Sequence, residues 1–235
     1  MADRFFVHGP IAPGEIMLTG DEAHHAVAVR RFGPGDRIVL FCGDGGEYPA
    51  TILATAKKSL TLSVEPRIDA NRETQHPIVI GAALPKGDRF DFLIEKLVEL
   101  GTSRFVPLLA ARSVVVPKSA SMPKWRRAII EASKQCGRNR LMLIDEPKVL
   151  TDYLADSTLS AAKVFFHTSS EPAAPDLSRS SAFAIGPEGG WTEAEVEQAR
   201  SAGWKIVQHG PRVLRLETAA IAAAHWAMAE QLRSG

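Results

Sequence analysis

The chain has 235 residues, 45% hydrophobic and 23% charged, with a formal net charge of +1. That composition suits a soluble globular protein of one or two domains and excludes a disordered or low-complexity chain. No run approaches the roughly 18 apolar residues of a membrane span, and the N-terminus lacks a basic segment followed by an apolar one. Two cysteines, Cys42 and Cys136, make neither a disulfide framework nor a metal cluster, so a cytoplasmic protein is expected.

Residues 1–70 read as mostly β, a small barrel-like module with one helix. Candidate strands are Arg4–His8, Glu15–Leu18, Asp36–Cys42, Tyr48–Ala56 and Ser59–Glu65. Asp44-Gly45-Gly46 is a hairpin signal. Asp21 is the expected N-cap of a helix running through His24 to Arg30, which Gly33-Pro34-Gly35 ends. Asp69–Glu73 is polar and reads as a linker.

From residue 77 strands and helices alternate. Ile78–Leu84 is a continuous apolar run, as in a strand buried on both faces. Asp88 is a candidate cap for a helix with Phe90, Leu93, Ile94, Leu97 and Val98 on one face, ending at Gly101. Phe105–Leu109 and Ser113–Val116 read as strands, Lys124–Gln135 as a helix opened by Pro123. Further strands are expected at Leu141–Ile144, Lys163–His167, Ala182–Ile185 and Ile206–Gln208. Thr192 and Glu195 form a capping-box pattern that starts a helix directly after a glycine-rich loop, and Glu217–Leu232 is an alanine-rich final helix. Such alternation predicts an α/β fold with a mostly parallel sheet. Ligands in that class bind beyond the C-terminal strand ends.

Charge is unevenly spread: residues 1–72 carry −1, 73–145 carry +5 and 146–235 carry −3. Within 104–140, nine cations (Arg104, Arg112, Lys118, Lys124, Arg126, Arg127, Lys134, Arg138 and Arg140) face one acid, Glu131. Such a run is either a solvated face or a phosphate-binding surface, and its density favours the second.

Two Gly-Pro turns carry the chemistry. Gly186-Pro187-Glu188-Gly189-Gly190 joins a strand to a helix. It lacks the Gly-Lys-Ser/Thr of a P-loop and the spacing of a dinucleotide fingerprint. Read alone, it is either a cradle that brings bare backbone to a ligand or a tight structural turn. Gly210-Pro211-Arg212 leads into Leu214-Arg215-Leu216 and Glu217-Thr218-Ala219, so two such turns would form two walls of one small-molecule site. His24 and His25 are adjacent and point different ways, so no metal site is expected.

Read together and in order, these segments resemble the RsmE family, the 16S ribosomal RNA (uracil-N3)-methyltransferases of the SPOUT class. The likeness runs from Arg4-Phe5-Phe6 through His24-His25, Arg30-Arg31, Lys86-Gly87-Asp88, Glu95-Lys96, Arg112-Ser113, Trp125 and the Gln135–Arg138 stretch to Gly186–Gly190 and Leu214–Ala219. Lys134, Cys136 and Asn139-Arg140 depart from the family pattern. The resemblance implies a PUA-like RNA-binding barrel at residues 1–70. Residues 73–235 would form a SPOUT-type α/β methyltransferase domain with a trefoil knot, an exception to unknotted topology. It also implies a homodimer that uses S-adenosylmethionine on 16S rRNA of the small ribosomal subunit. The cofactor would be held by Leu84, His167, Ile185, Gly186, Pro187, Glu188, Gly189, Gly190, His209, Gly210, Val213, Leu214, Leu216, Thr218 and Ala219. RNA would be bound by Arg4, His24, Arg30, Arg31, Lys86, Arg112, Arg126, Arg127 and Arg138.

Catalysis would centre on Arg138, as a cation near the uracil oxygens or a phosphate clamp. Glu188 would orient the cofactor, act as a base or only cap a turn. Glu217 would stabilise a helix N-terminus or take part in catalysis. The rival readings are a SPOUT methyltransferase with another RNA target and a non-catalytic rRNA-binding assembly factor.

Overall fold

The structure, a computed structural model, describes residues 3–116, 119–159, 162–168 and 175–234; Lys118 of the basic run lies outside the described residues. The chain divides into two compact units, Met1–Glu73 with Ile130–Leu141, and Thr74–Ile129 with Met142–Gly235. Residues 130–141 group with the first unit because Ile130 and Leu141 pack against Phe6 and Phe41 in one apolar cluster.

In the first unit the strands are β1 (Arg4–Phe6), β2 (Gly14–Thr19), β3 (Arg37–Phe41), β4 (Gly46–Ala56), β5 (Ser59–Val64) and β6 (Ile68–Asp69). The sheet runs β1-β3-β4-β5-β2, with β6 also on β4; β1 is parallel to β3 and the other pairs are antiparallel. Burial alternates along β4 and β5, as a sheet with one core face requires, and Phe5, Leu40, Ile52, Leu60 and Leu62 fill that core. The expected helix starts two residues early, at α1 (Gly20–His24), with Thr19 rather than Asp21 as N-cap and no side-chain cap. It continues as a π-helical turn over His25–Val29, closed by the Arg30 N–H donating to the His25 carbonyl at 3.0 Å. Arg31 then takes φ +60°, the left-handed geometry that stops a helix.

Asp44 shapes the β3–β4 hairpin. Desolvation raises its pKa, but hydrogen bonds from Tyr48, the Gly46 N–H and Arg67 outweigh that and hold it down at about 2, while the same bond pushes the Tyr48 hydroxyl up to about 12. A depressed carboxylate stabilises the fold above its unfolded pKa, and that contribution fades as pH falls from about 4 towards 2. Tyr48→Phe is therefore expected to lower the urea midpoint at pH 7 while shrinking the drop between pH 7 and pH 3. An undiminished drop would place the acid-sensitive group elsewhere.

In the second unit the strands are β7 (Ile78–Ala82), β8 (Arg104–Leu109), β9 (Leu143–Ile144), β10 (Lys148–Val149), β11 (Ala162–Phe166), β12 (Ser181–Ile185) and β13 (Lys205–Val207). The sheet is parallel throughout, in the order β10-β8-β7-β12-β11-β13 with β9 also on β8. The central strands β7 and β12 are buried along their whole length. The helices are α2 (Arg89–Glu99), α4 (Leu150–Leu154), α5 (Glu193–Ser201) and α6 (Leu216–Ser234), with the first part of α3 (Met122–Cys136), whose residues from Ile130 on belong to the first unit. The buried alanines 219, 220, 223, 224 and 227 let α6 lie close against β7 and β12. Tyr153 of α4 is fully buried and donates to the Phe183 carbonyl at 2.9 Å. Gly81 makes room for it, since a Cβ there would sit 2.4 Å from the Tyr153 ring.

Ser113–Val116 is not a strand. It pairs with nothing among the described residues, and Val114 and Val116 are 60% and 63% exposed, so β-propensity without a partner yields only irregular chain. No helix among the described residues is long and apolar enough to cross a membrane.

Candidate active site

Three loops meet beyond the C-terminal ends of β11, β12 and β13. Phe166–Thr168, Ile185–Trp191, Gln208, His209 and Arg212–Leu216, with Ala219, line a cavity of about 530 Å3. Its volume falls within the range of small-molecule sites, and its position is where a parallel sheet binds ligands. Apolar walls come from Ile185, Val213, Leu214, Leu216 and Ala219; Glu188 is the lining carboxylate, and Arg112, Arg212 and Arg215 supply cations.

The glycine-rich loop owes its form to contacts within the protein. A Cβ on Gly186 would lie 2.8 Å from the Trp191 ring, and one on Gly189 would lie 3.2 Å from the Arg112 Cβ. Gly190 takes φ +69° as its N–H donates to the Pro187 carbonyl at 2.8 Å. Trp191 is itself anchored: its Nε1–H donates to the Phe166 carbonyl at 2.9 Å and its ring packs on Phe165 at 4.5 Å. The capping box is present as expected. The Thr192 hydroxyl accepts from the Glu195 N–H, the Thr192 N–H donates to Glu195 Oε2, and α5 is fixed directly behind the loop. On the facing wall the His209 ring packs on Phe166, stacked at 5.5 Å, and on Trp226 at 5.3 Å.

Two family models match the chain. One, described as RNA methyltransferase domain, covers residues 72–228; the other, RNA methyltransferase PUA domain, covers residues 18–65. Ribosomal RNA small subunit methyltransferase E of Bacillus subtilis is 34% identical over 86% of this chain and 85% of its own length. The chain belongs to the ribosomal RNA small subunit methyltransferase E family. The Mycobacterium tuberculosis protein of the same name is 30% identical over 88% of this chain and 83% of its own length. Among solved structures, a putative methyltransferase from Legionella pneumophila with bound SAM superposes with a TM-score of 0.90 at 30% identity, over 97% of this chain and 98% of that one. The methyltransferase E of Neisseria gonorrhoeae bound to S-adenosyl methionine gives 0.84 at 27% identity, over 95% of each chain.

In this RNA methyltransferase the residues expected at the cofactor divide cleanly. His167, Ile185, Gly186, Pro187, Glu188, Gly189, Gly190, His209, Val213, Leu214, Leu216 and Ala219 line the cavity, whereas Leu84, Gly210 and Thr218 do not. Leu84 is buried just past β7, and Gly210 at φ +79° and Thr218 are exposed beside lining residues. Missed by sequence reasoning were Phe166, Thr168, Trp191 and Gln208, none of which carries a local signal, and Arg212 and Arg215, which stand in the second turn but were assigned no role. Arg112, expected at RNA, also lines the cavity. Glu217 is buried, with Arg89 3.5 Å from Oε1 and, among the described residues, no hydrogen bond to Oε2.

The other RNA candidates differ in what they offer a phosphate. His24, Arg30, Arg31, Lys86, Arg126 and Arg127 are exposed, although Arg30 is paired with Asp3. Arg4 is buried: its guanidinium donates to Glu47 and Asn139 and lies 5.0 Å over the Phe41 ring, because β1 places it inside the first unit. Arg138 is also buried, at 4% exposure, and its guanidinium grips Glu73 through Nε at 3.0 Å to both oxygens and Nη2 at 2.7 Å. It is not among the cavity-lining residues.

The basic run is likewise neutralised from afar. Arg104 pairs with Asp145, Lys124 with Asp91 and Lys134 with Glu22, so the nine-to-one imbalance does not survive folding. Arg112, Arg126, Arg127 and Arg140 form no salt bridge among the described residues and remain as its exposed cations.

Proposed function

We propose that this chain transfers the methyl group of S-adenosylmethionine to N3 of a uracil in 16S rRNA of the small ribosomal subunit, giving 3-methyluridine. The observation that carries the reading is the cavity bounded by the Gly186–Gly190 loop and the 208–216 segment, in a chain whose Legionella pneumophila and Neisseria gonorrhoeae relatives bind SAM. Apolar walls, exposed loop backbone and one carboxylate fit a cofactor with an adenine ring and a positive charge. Bound there, it supplies an electrophilic methyl group on sulfur. His167, Ile185–Gly190, His209, Val213, Leu214, Leu216 and Ala219 would hold it, with Leu84, Gly210 and Thr218 supporting them from adjacent chain.

Uracil N3 carries a proton and is a poor nucleophile while neutral. Arg212 and Arg215, both in the lining, would stabilise the oxygens of the anion formed as that proton leaves. Glu188 would orient the cofactor or take the proton. Arg138, committed to Glu73, would brace the first unit rather than touch substrate. His24, Arg30, Arg31, Lys86, Arg126 and Arg127 would hold phosphates around a uridine that has left its stack.

A homodimer in the cytoplasm completes the reading. Phe92 on α2 and Leu232 on α6, two helices that pack together, are 49% and 71% exposed and support self-association. The return of α6 from the β13 edge to β7 and β12 supports the knotted path.

Purified protein incubated with S-adenosylmethionine and small subunits lacking the modification is expected to generate 3-methyluridine, detected by mass spectrometry after RNA digestion. Cofactor binding without that nucleoside would mean a different RNA target.

A further inference from the structure

The β8–α3 connection is hydrogen-bonded to the glycine-rich loop and to α5 behind it. Ala110 and Ser113 close a tight turn, the Ala110 N–H donating to Ser113 Oγ and the Ser113 N–H to the Ala110 carbonyl, each at 3.0 Å. At its tip the Ala111 N–H donates to Glu195 Oε1 at 2.8 Å. The next residue, Arg112, sends Nη1 to the Gly189 carbonyl at 3.0 Å and the Trp191 carbonyl at 3.3 Å. The turn lies so close to the loop that a Cβ on Gly189 would meet the Arg112 Cβ at 3.2 Å and its carbonyl oxygen at 3.6 Å.

Glu195 ties the assembly together. It is 8% exposed, and its two oxygens serve two loops: Oε1 accepts from Ala111, and Oε2 accepts from the Thr192 N–H and hydroxyl. One carboxylate therefore caps α5 and clasps the 110–113 turn. Donation from a guanidinium to carbonyls is charge-assisted and about twice as strong as a neutral bond. Both accepting carbonyls belong to the segment that bounds the cavity.

We infer that Arg112 is a positioning residue of the cofactor loop, held in register by the Glu195 clasp, and not a phosphate contact. It fixes the loop carbonyls so that the cavity is formed before a ligand arrives, which lowers the ordering cost of binding. The inference rests on the proposal that S-adenosylmethionine occupies this cavity, but the latch itself is measurable without it.

The test compares the full-length chain with Arg112→Ala, Arg112→Lys and Glu195→Gln. Arg112→Ala is expected to weaken S-adenosylmethionine binding by about tenfold in calorimetry, the loss of roughly one charge-assisted hydrogen bond. Arg112→Lys, which keeps the charge but not the reach and planar geometry of the guanidinium, is expected to fall between, and Glu195→Gln to follow Arg112→Ala. In turnover assays the loss should appear in KM for the cofactor more than in kcat, and the salt dependence of rRNA binding should keep its slope. Affinity for the cofactor within twofold of the parent, with a salt slope shallower by about one, would make Arg112 a phosphate contact and overturn the inference.

Hydrogen exchange of residues 185–192 in cofactor-free protein separates the two failures. Faster exchange in Arg112→Ala supports the latch even if the parent protein fails to bind S-adenosylmethionine, a result that would sink only the cofactor assignment. Unchanged exchange overturns the latch.

Discussion

Gly186→Ala is expected to cost this protein about a hundredfold in S-adenosylmethionine affinity, and about 2 kcal/mol of stability, as overpacking of a filled site does. The new methyl carbon would lie 2.8 Å from Trp191 Cε2 and 3.0 Å from Nε1, too close for any carbon. A flexible side chain would swing aside, but Trp191 is 6% exposed, bonded to the Phe166 carbonyl and packed on Phe165. The loop must therefore move instead. Loop and indole are both cavity walls, so displacement of either spoils the site.

A second substitution separates this clash from loss of a direct cofactor contact. Trp191→Ala removes the ring that would collide, so the double variant Gly186→Ala/Trp191→Ala should recover affinity relative to the additive expectation, a coupling of about 1–2 kcal/mol. Gly33→Ala is the control: nothing lies within 4 Å of a Cβ there, and its stability should hold or rise slightly. Parent-like affinity in Gly186→Ala would mean that the loop is only a turn and that the cofactor binds elsewhere.

The same residues mark how far sequence reaches. Ile78–Leu84 declared a strand buried on both faces because its apolar run is uninterrupted, and Thr192 with Glu195 declared a helix start because both partners sit within one turn. Signals of that kind are local. The second role of Glu195, accepting from Ala111 across 84 positions, has no local mark. The glycines were visible as a site, but their reasons were not: Gly186 yields to Trp191 and Gly189 to Arg112, both fixed by packing. The short β6, β10 and α4 went unseen because two to five residues carry no period. Charge was the most misleading signal. Nine cations against one acid looked like an open surface, while Glu22, Glu73, Asp91 and Asp145 lay far away in sequence and close in space.

Arg138 is the sharpest instance, and the second large effect is expected there. Arg138→Ala should lower stability by about 3 kcal/mol, the usual result of removing one partner of a buried ion pair, and Glu73→Ala should lower it by a similar amount. The pair is one stitch of three. Asn139 Nδ2 donates to the Ala70 carbonyl at 3.0 Å, Arg72 donates to the Gly137 carbonyl at 3.0 Å, and Arg138 holds Glu73. Residues 137–139 thus secure the whole stretch 70–73, which composition alone reads as a free linker. If Arg138 braces this junction, the double variant should be less destabilised than the two singles predict, by about 1–3 kcal/mol. Both singles should also keep turnover when assayed cold enough to stay folded. If Arg138 instead stabilises charge on the uracil, Arg138→Ala alone should lose about a hundredfold or more in kcat, with Glu73→Ala spared. Urea midpoints and single-turnover rates on the same three variants decide between them. A Gln135–Arg138 motif kept for bracing explains why its guanidinium is 5% exposed, since a group that must meet RNA gains nothing from being sealed against a carboxylate.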